Sequence, residues 1–301
     1  LLAMFGDPHW PTVVPEPYYN MYDPADVNLE AADHDFVGQP YKLFVQSRAY
    51  DWHRYSDDEK RRILATYYGQ VSFVDAQVGR LLNSLDERGL ADDTVVCFTS
   101  DHGSFAGRFG LVGKTCGFND TLVRIPLLLR VPGVAAGTRS AMVSNTDVLP
   151  TLMELIGQKL PRGLQGRSLV PMLRDETVPG RDAVFAEVNE PVQPPTPVDR
   201  NAYDAYAEDR RSADGMFWFG DIMRRGRAAM VRTDRWKFIH YTGDVCELYD
   251  LHADPLETAN LAADAAHQGQ RNAMAARLMD WLLNEPWAQY RADHAEVICD
   301  G

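Results

Sequence analysis

The sequence predicts an α/β fold, with a mixed, mainly parallel sheet sandwiched by helices and a smaller C-terminal antiparallel sheet plus helix. Three observations predict it. A long helical stripe beginning after Ser56 runs into an apolar, β-branched run at 94–99, which makes an αβ unit. A second apolar run, Ile125 to Val131, reads as another buried strand and is closed by Pro132-Gly133. Between 228 and 250, three short strand-like runs are separated by tight turns, the mark of an antiparallel lobe.

The elements follow in order. Leu1-Leu2-Ala3-Met4-Phe5 reads as the end of a strand. Residues 6–50 are rich in Pro, Tyr and Asp with no sustained period, so a long surface loop is expected; loops of that length are often functional. Ser56 and Glu59 form a capping box. Leu64, Tyr67, Tyr68, Val71, Val74, Val78, Leu81, Leu82 and Leu85 then fall on one helical stripe, and Gly89 suits the left-handed residue after the helix. A short helix is expected from Thr146 to Gly157 with Asp147 in its first turn. Frequent Pro, Gly and Arg at 160–182 mark a linker, and 183–188 form a short strand. Residues 189–225, with four prolines, read as an irregular insertion. Strands are expected at 228–233, 235–241 and 246–250, and a last helix from about His267 to Asn284 with Met274, Leu278, Trp281 and Leu282 on one face. The domain division predicted is 1–175 and 176–301.

Composition narrows the class. The 301 residues are 45% hydrophobic, with a mean hydropathy of −0.32, which is ordinary globular composition. No apolar run approaches the ~18 residues of a membrane span. The net charge of −13 argues against nucleic acid and acidic membrane surfaces as partners. An anionic substrate would therefore need local positive charge. The four cysteines are scattered, with no Cys-x-x-Cys pair, and form neither a disulfide framework nor a zinc motif. Cys97, within a strand, reads as a small buried hydrophobe.

The chemistry concentrates where the first internal strand ends. Val95 to Thr99 is followed at once by Ser100-Asp101-His102-Gly103. In open α/β sheets ligands bind beyond the carboxyl ends of strands. Asp101 and His102 are metal-ligand types: the carboxylate suits a hard divalent cation, and the imidazole extends the choice toward manganese or zinc. Lys114 follows on a Gly-rich loop as a compact cation for an anionic oxygen. His9 lies in Asp7-Pro8-His9-Trp10-Pro11, where prolines restrict the backbone; its ordinary pKa lets it bind an anion or donate a proton. These four side chains are expected to converge. Arg108, Arg124, His34, His53, Trp10 and Tyr18 are further candidates for the pocket wall, each more readily structural.

Five segments together resemble the sulfatase family of the alkaline-phosphatase superfamily. They are Pro8-His9-Trp10-Pro11, Ser100-Asp101-His102-Gly103, Asp147-Val148-Leu149-Pro150-Thr151, Gly166-Arg167-Ser168-Leu169, and a C-terminal signature. That signature comprises Trp236-Lys237-Phe238-Ile239, Glu247-Leu248-Tyr249-Asp250, Asp254-Pro255-Leu256-Glu257 and Asn260-Leu261. The resemblance implies an alkaline-phosphatase-like fold and hydrolysis of a sulfuric ester. By the same resemblance Asp101 and His102 are metal ligands, His9 and Lys114 are catalytic and bind the sulfate, and the metal is Ca2+, with Mg2+ or Mn2+ as alternatives. The family's nucleophile is a formylglycine made from a Cys-x-Pro/Ala-x-Arg motif. None of Cys97, Cys116, Cys246 and Cys299 has Pro or Ala two residues on. The chain is thus expected to be the C-terminal portion of a sulfatase-like protein, lacking the N-terminal formylglycine motif.

The expected substrate is a small-molecule or carbohydrate sulfate ester. Two alternatives stay open: a phosphonate monoester or phosphodiester hydrolase of the same superfamily, and a non-catalytic relative. The resemblance points to a periplasmic or secreted location, with the cytoplasm as the alternative. Two departures from its pattern bear on the substrate subclass. Phe109 stands where a His is frequent, and Asn119-Asp120 stands where an acid pair often follows the lysine.

Overall fold

The computed structural model describes residues 1–29, 38–40, 43, 46–47, 52–114, 117–188 and 227–283. The expected insertion at 189–225 and His34 lie outside them. Helix α1, Asp57–Glu87, starts at the predicted capping box: Ser56 Oγ accepts from Glu59 N, and Ser56 N donates to Glu59 Oε2 at 2.8 Å. It ends in a Schellman motif. Gly89, at φ 66°, donates to Asp86 O, and Leu90 N donates to Leu85 O. Leu64, Ala65, Gly69 and Gln70 are buried, whereas Tyr68, Val71 and Leu81 of the predicted stripe are exposed.

Strands β1, Val96–Thr99, and β2, Leu127–Arg130, pair antiparallel. The α/β class is borne out, but all strand pairs among the described residues are antiparallel. A parallel return needs a long crossover, usually a helix. The 100–126 connection instead folds into a hairpin loop and the one-turn helix α2, Asp120–Val123. Neither strand is fully buried: Phe98 and Leu128 are exposed, because β1 and β2 pair only with each other among the described residues.

Helix α3, Val148–Leu155, follows a 3-10 turn at Asn145–Asp147, and α4 spans Val170–Arg174. The Asp-x-x-Pro-Thr and Gly-Arg-Ser-Leu segments prove to be one structural unit. The fully buried Asp147 carboxylate accepts from Ser144 N and Arg167 N and pairs with Arg181. Thr151 Oγ1 donates to Asp147 O and accepts from Leu169 N at 2.8 Å. A Cβ on Gly166 would stand 1.9 Å from Thr146 O, so glycine is what lets these segments touch.

The C-terminal sheet runs in the order β3 (Val184–Val188), β4 (Ala228–Arg232), β5 (Trp236–Tyr241), β6 (Glu247–Asp250), all antiparallel as predicted. One face packs against helix α5, Gln268–Leu283: Met274 and Leu278 join Val231, Phe238 and Leu248, and Trp281 stacks on Phe185 at 4.9 Å. Leu282, expected on this face, is exposed. The other face carries Met230, Ile239, Tyr241 and Tyr249 against Phe118 and Val123, which flank and belong to α2. The sheet thus lies between α5 and the segment that leaves Lys114.

Candidate active site

At the end of β1, Thr99 Oγ1 donates to Pro126 O at 2.9 Å and ties the strand's exit to the entry of β2. The chain then bends sharply. Ser100 Oγ donates to His102 O at 2.8 Å, and Asp101 Oδ1 accepts from His102 N at 2.9 Å. The Asp101 side chain is 83% exposed. Its slight burial opposes ionisation, but the hydrogen bond from the His102 amide and the nearby Lys114 ammonium outweigh that and hold the carboxyl below its ordinary range. Asp101 is therefore a carboxylate at neutral pH.

Lys114 reaches this pair by a hairpin. Phe105 N donates to Gly113 O and Gly107 N to Leu111 O, so the two arms of the loop run side by side to a turn at Arg108–Gly110. Phe105, Leu111 and Val112 anchor the arms in the core, and Gln46 donates to Val112 O. Gly107, at φ 89°, leaves no room for a Cβ against the Trp52 ring. The fold-back brings Lys114 Nζ to 2.7 Å from His102 Nε2.

These contacts decide the His102 tautomer. Its Nδ1 lies 2.8 Å from Gly103 O, a pure acceptor, so Nδ1 carries the proton. An ammonium can only donate, so Nε2 presents its lone pair. With Nε2 engaged this way, the 3.4 Å approach of Asp101 Oδ2 is proximity, not an ion pair. A metal-ligating imidazole needs this arrangement, one nitrogen fixed to a carbonyl and the other unprotonated. Asp101 Oδ2 and His102 Nε2 therefore fit two positions in a cation's donor set. Among the described residues no group of three or more His, Cys, Asp and Glu is disposed to hold a metal, and these two by themselves would supply only part of a donor set.

His9 sits in a turn closed by its own N–H to Gly6 O, with Nδ1 2.6 Å from Trp10 O, which leaves Nε2 outward. The side chain is exposed. Its neighbours Pro8 and Trp10 line a cleft shared with Ser104, Gly107 and Gly113 of the hairpin that carries Lys114. Gln70, buried on α1, fastens the turn by donating to Asp7 Oδ1 at 3.0 Å, with Pro11 O and Val13 O within reach. The only hint in the sequence is an amide lying beside an apolar stripe.

The other candidates part company. Trp10 lines the cleft. Tyr18 is structural: its ring packs edge-on to Phe73 at 5.3 Å and its carbonyl lies against Gly69. Arg124 is exposed just past α2. Phe109, left-handed at φ 55°, packs against Phe105 under the Arg108 guanidinium, and lines a second cavity with Tyr241, Glu247, Tyr249 and Glu257. Asn119 caps α2 through Thr121 N, and Asp120 turns away into a buried ionic cluster. The positions read as a depleted acid pair are thus architectural.

The C-terminal signature that contains Lys237 and Glu257 does not by itself reveal that cluster in the sequence. Lys237, fully buried in β5, lies 2.6 Å from Asp120 Oδ1 and 2.6 Å from Glu257 Oε1. The second contact is a close charge pair rather than a well-directed hydrogen bond. Arg232 stands 3.4 Å from Asp120. Burial raises the Glu247 carboxyl to about 8. Lysine and glutamate within an apolar strand alternation were the available signal.

Comparison with known proteins gives the class. Residues 1–158 match the Sulfatase family model, and residues 217–283 match the model for the C-terminal region of N-sulphoglucosamine sulphohydrolase. The chain belongs to the sulfatase family, within the alkaline-phosphatase superfamily. It is 29% identical over 305 residues to the multifunctional alkaline phosphatase superfamily protein PehA of Trinickia caryophylli, covering 92% of this chain and 54% of that protein. It is 29% identical to the choline-sulfatase of Rhizobium meliloti (strain 1021), covering 87% of this chain and 46% of the relative. The phosphonate monoester hydrolase of Silicibacter pomeroyi superposes with a TM-score of 0.75 at 26% identity, over 92% of this chain and 54% of that one. The likeness bears out the expected architecture. The chain spans about half the length of the relatives it matches.

Proposed function

We propose that the protein is a metal-dependent sulfuric ester hydrolase and that Asp101, His102, Lys114 and His9 belong to its active site. The observation that supports this most is the meeting of Asp101, His102 and Lys114 at the end of β1: an ionised carboxylate, an imidazole with its lone pair presented, and an ammonium 2.7 Å away.

Asp101 and His102 would hold the cation, Ca2+ being the family's expectation, with Mg2+ and Mn2+ as alternatives. When bound, such a cation would supply Lewis-acid stabilisation of an ester oxygen. The residues here do the rest of the work assigned to this chain. Lys114 would place its ammonium on a non-bridging oxygen, fixed in direction by the hairpin that carries it. His9, its turn clamped by Gln70 and its Nδ1–H on Trp10 O, would act with both ring nitrogens protonated, binding the same anion through Nε2–H or giving that proton to the departing alcohol oxygen. The nucleophile, formylglycine by family expectation, would come from a segment bearing the Cys-x-Pro/Ala-x-Arg motif.

A second reading, a phosphonate monoester hydrolase, is favoured by the likeness to the Silicibacter enzyme. A tetrahedral anion with one alcohol leaving group would suit the same three groups. Turnover of an aryl sulfate against an aryl phosphonate, by a protein carrying this chain together with the nucleophile motif, separates the two. The sulfatase reading expects kcat/KM to favour the sulfate. A preference for the phosphonate would replace it with the second reading.

A further inference from the structure

We propose that Lys237 and Glu257 are positioning residues for the Asp101–His102–Lys114 site, acting through Asp120 and helix α2. This rests on the reading of that site given above.

The path is a continuous series of contacts. Gly103, the residue after His102, donates its N–H to Leu122 O at 2.7 Å. A Cβ on Gly103 would stand 2.0 Å from Thr121 O, so the backbone beside His102 lies flat on α2. The position of His102 is therefore the position of α2. A helix of one turn has too few internal bonds to hold itself, so its place must be fixed from outside. Its first residue, Asp120, is held three ways: Oδ1 by Lys237 at 2.6 Å, the carboxylate by Arg232, and the backbone N–H by Glu257 Oε2 at 2.6 Å. Lys237 closes the triangle by contacting Glu257.

The cluster is organised at some cost to the chain. Lys237 and Glu257 are buried, which is rare for these residue types unless they are paired. Glu257 adopts φ 57°, a left-handed conformation uncommon for residues other than glycine. Asp254 braces that turn by accepting from Thr258 N and Ala259 N. The Trp-Lys and Asp-Pro-Leu-Glu segments of the C-terminal signature thereby acquire a role. They set the register of α2, and through Gly103 that of the two metal-binding side chains.

The test uses the double variant Lys237→Met/Glu257→Gln, which leaves Asp120 paired with Arg232 and no lone buried charge. Leu278→Ala is the control, because it weakens the same sheet from its opposite face without touching Asp120. Two quantities are measured on metal-free protein: hydrogen exchange of the Gly103 amide, and the 15N shifts of the His102 ring. Calcium affinity is measured by titrating calcium into the same metal-free protein. The double variant should speed Gly103 exchange beyond the control, shift the His102 nitrogens and weaken calcium about tenfold, the low end for groups that orient ligands. If the variant is folded and its Gly103 exchange and His102 shifts match wild type, or if the control changes them equally, the proposal is overturned. If instead wild type and Asp101→Ala bind calcium alike, the metal reading fails, while the metal-free measurements still judge the positioning.

Discussion

Lys114 and His102 meet across a hairpin, and the ammonium sits on the lone pair that a metal would use. In a protein carrying this chain together with the nucleophile motif, Lys114→Ala should leave metal content close to wild type while lowering turnover by on the order of a hundredfold, since one oxyanion-stabilising donor is worth ~3 kcal/mol. Lys114→Arg should restore only part of the rate, because a planar fork does not replace a compact ammonium at the end of a fixed loop. Metal analysis beside steady-state kinetics checks both variants. Loss of metal in Lys114→Ala would make the lysine structural, and an undiminished rate would remove it from the chemistry. At this scale the sequence was readable where residue type and context agreed: a carboxylate and an imidazole at a strand end announce themselves. Gln70, Lys237 and Glu257 did not, because their importance lies in distant partners. Gln70 reaches back 63 positions to Asp7, and Lys237 reaches 117 to Asp120.

Elements were legible where the signal is local. The capping box at Ser56, the glycine stop at Gly89 and the turns between β4, β5 and β6 need only neighbours in sequence. Strand direction needs the far partner, and the expected parallel pairing gave way to antiparallel once 100–126 folded back on itself. Two predictions belong to elements. Asp147 ties α3 to the 166–169 segment and to Arg181, so Asp147→Ala leaves buried donors and a cation without their acceptor. It should cost about 3–5 kcal/mol, lowering Tm by roughly 10 °C in a protein of this size; a thermal melt within a degree or two of wild type would contradict the assigned role.

Glu247 in β6 is the second case. Burial raises its carboxyl from 4.5 to about 8 in the folded state, so between those pH values the unfolded chain binds fewer protons than the folded one. Stability must then fall as pH rises through that window, by up to about 1.4 kcal/mol per pH unit. Glu247→Gln should remove this part of the slope. Denaturant melts of both proteins at pH 5 and pH 8 measure it, and equal slopes would show that the carboxyl ionises normally in the fold.

At the scale of the whole molecule, the C-terminal sheet is a layer with two occupied faces. One carries α5 and the other presses on the segment that links Lys114 to α2. The apolar runs of β1 and β2 predicted burial, but Phe98 and Leu128 are exposed, as are Leu149 and Ile156 on and beside α3. Hydrophobicity says that a strand wants cover, not which element supplies it. On the proposed reading, the net charge of −13 would leave a bound cation and Lys114 as the local counterweight for an anionic ester.

Whether the Asp101–His102 pair holds a catalytic cation is read from calcium content and aryl sulfate turnover, measured together in Asp101→Ala of a protein that also carries the nucleophile motif. Metal and activity should be lost together, because an imidazole alone is a poor ligand for a hard cation. A variant that keeps both at wild-type levels would contradict that role for the pair.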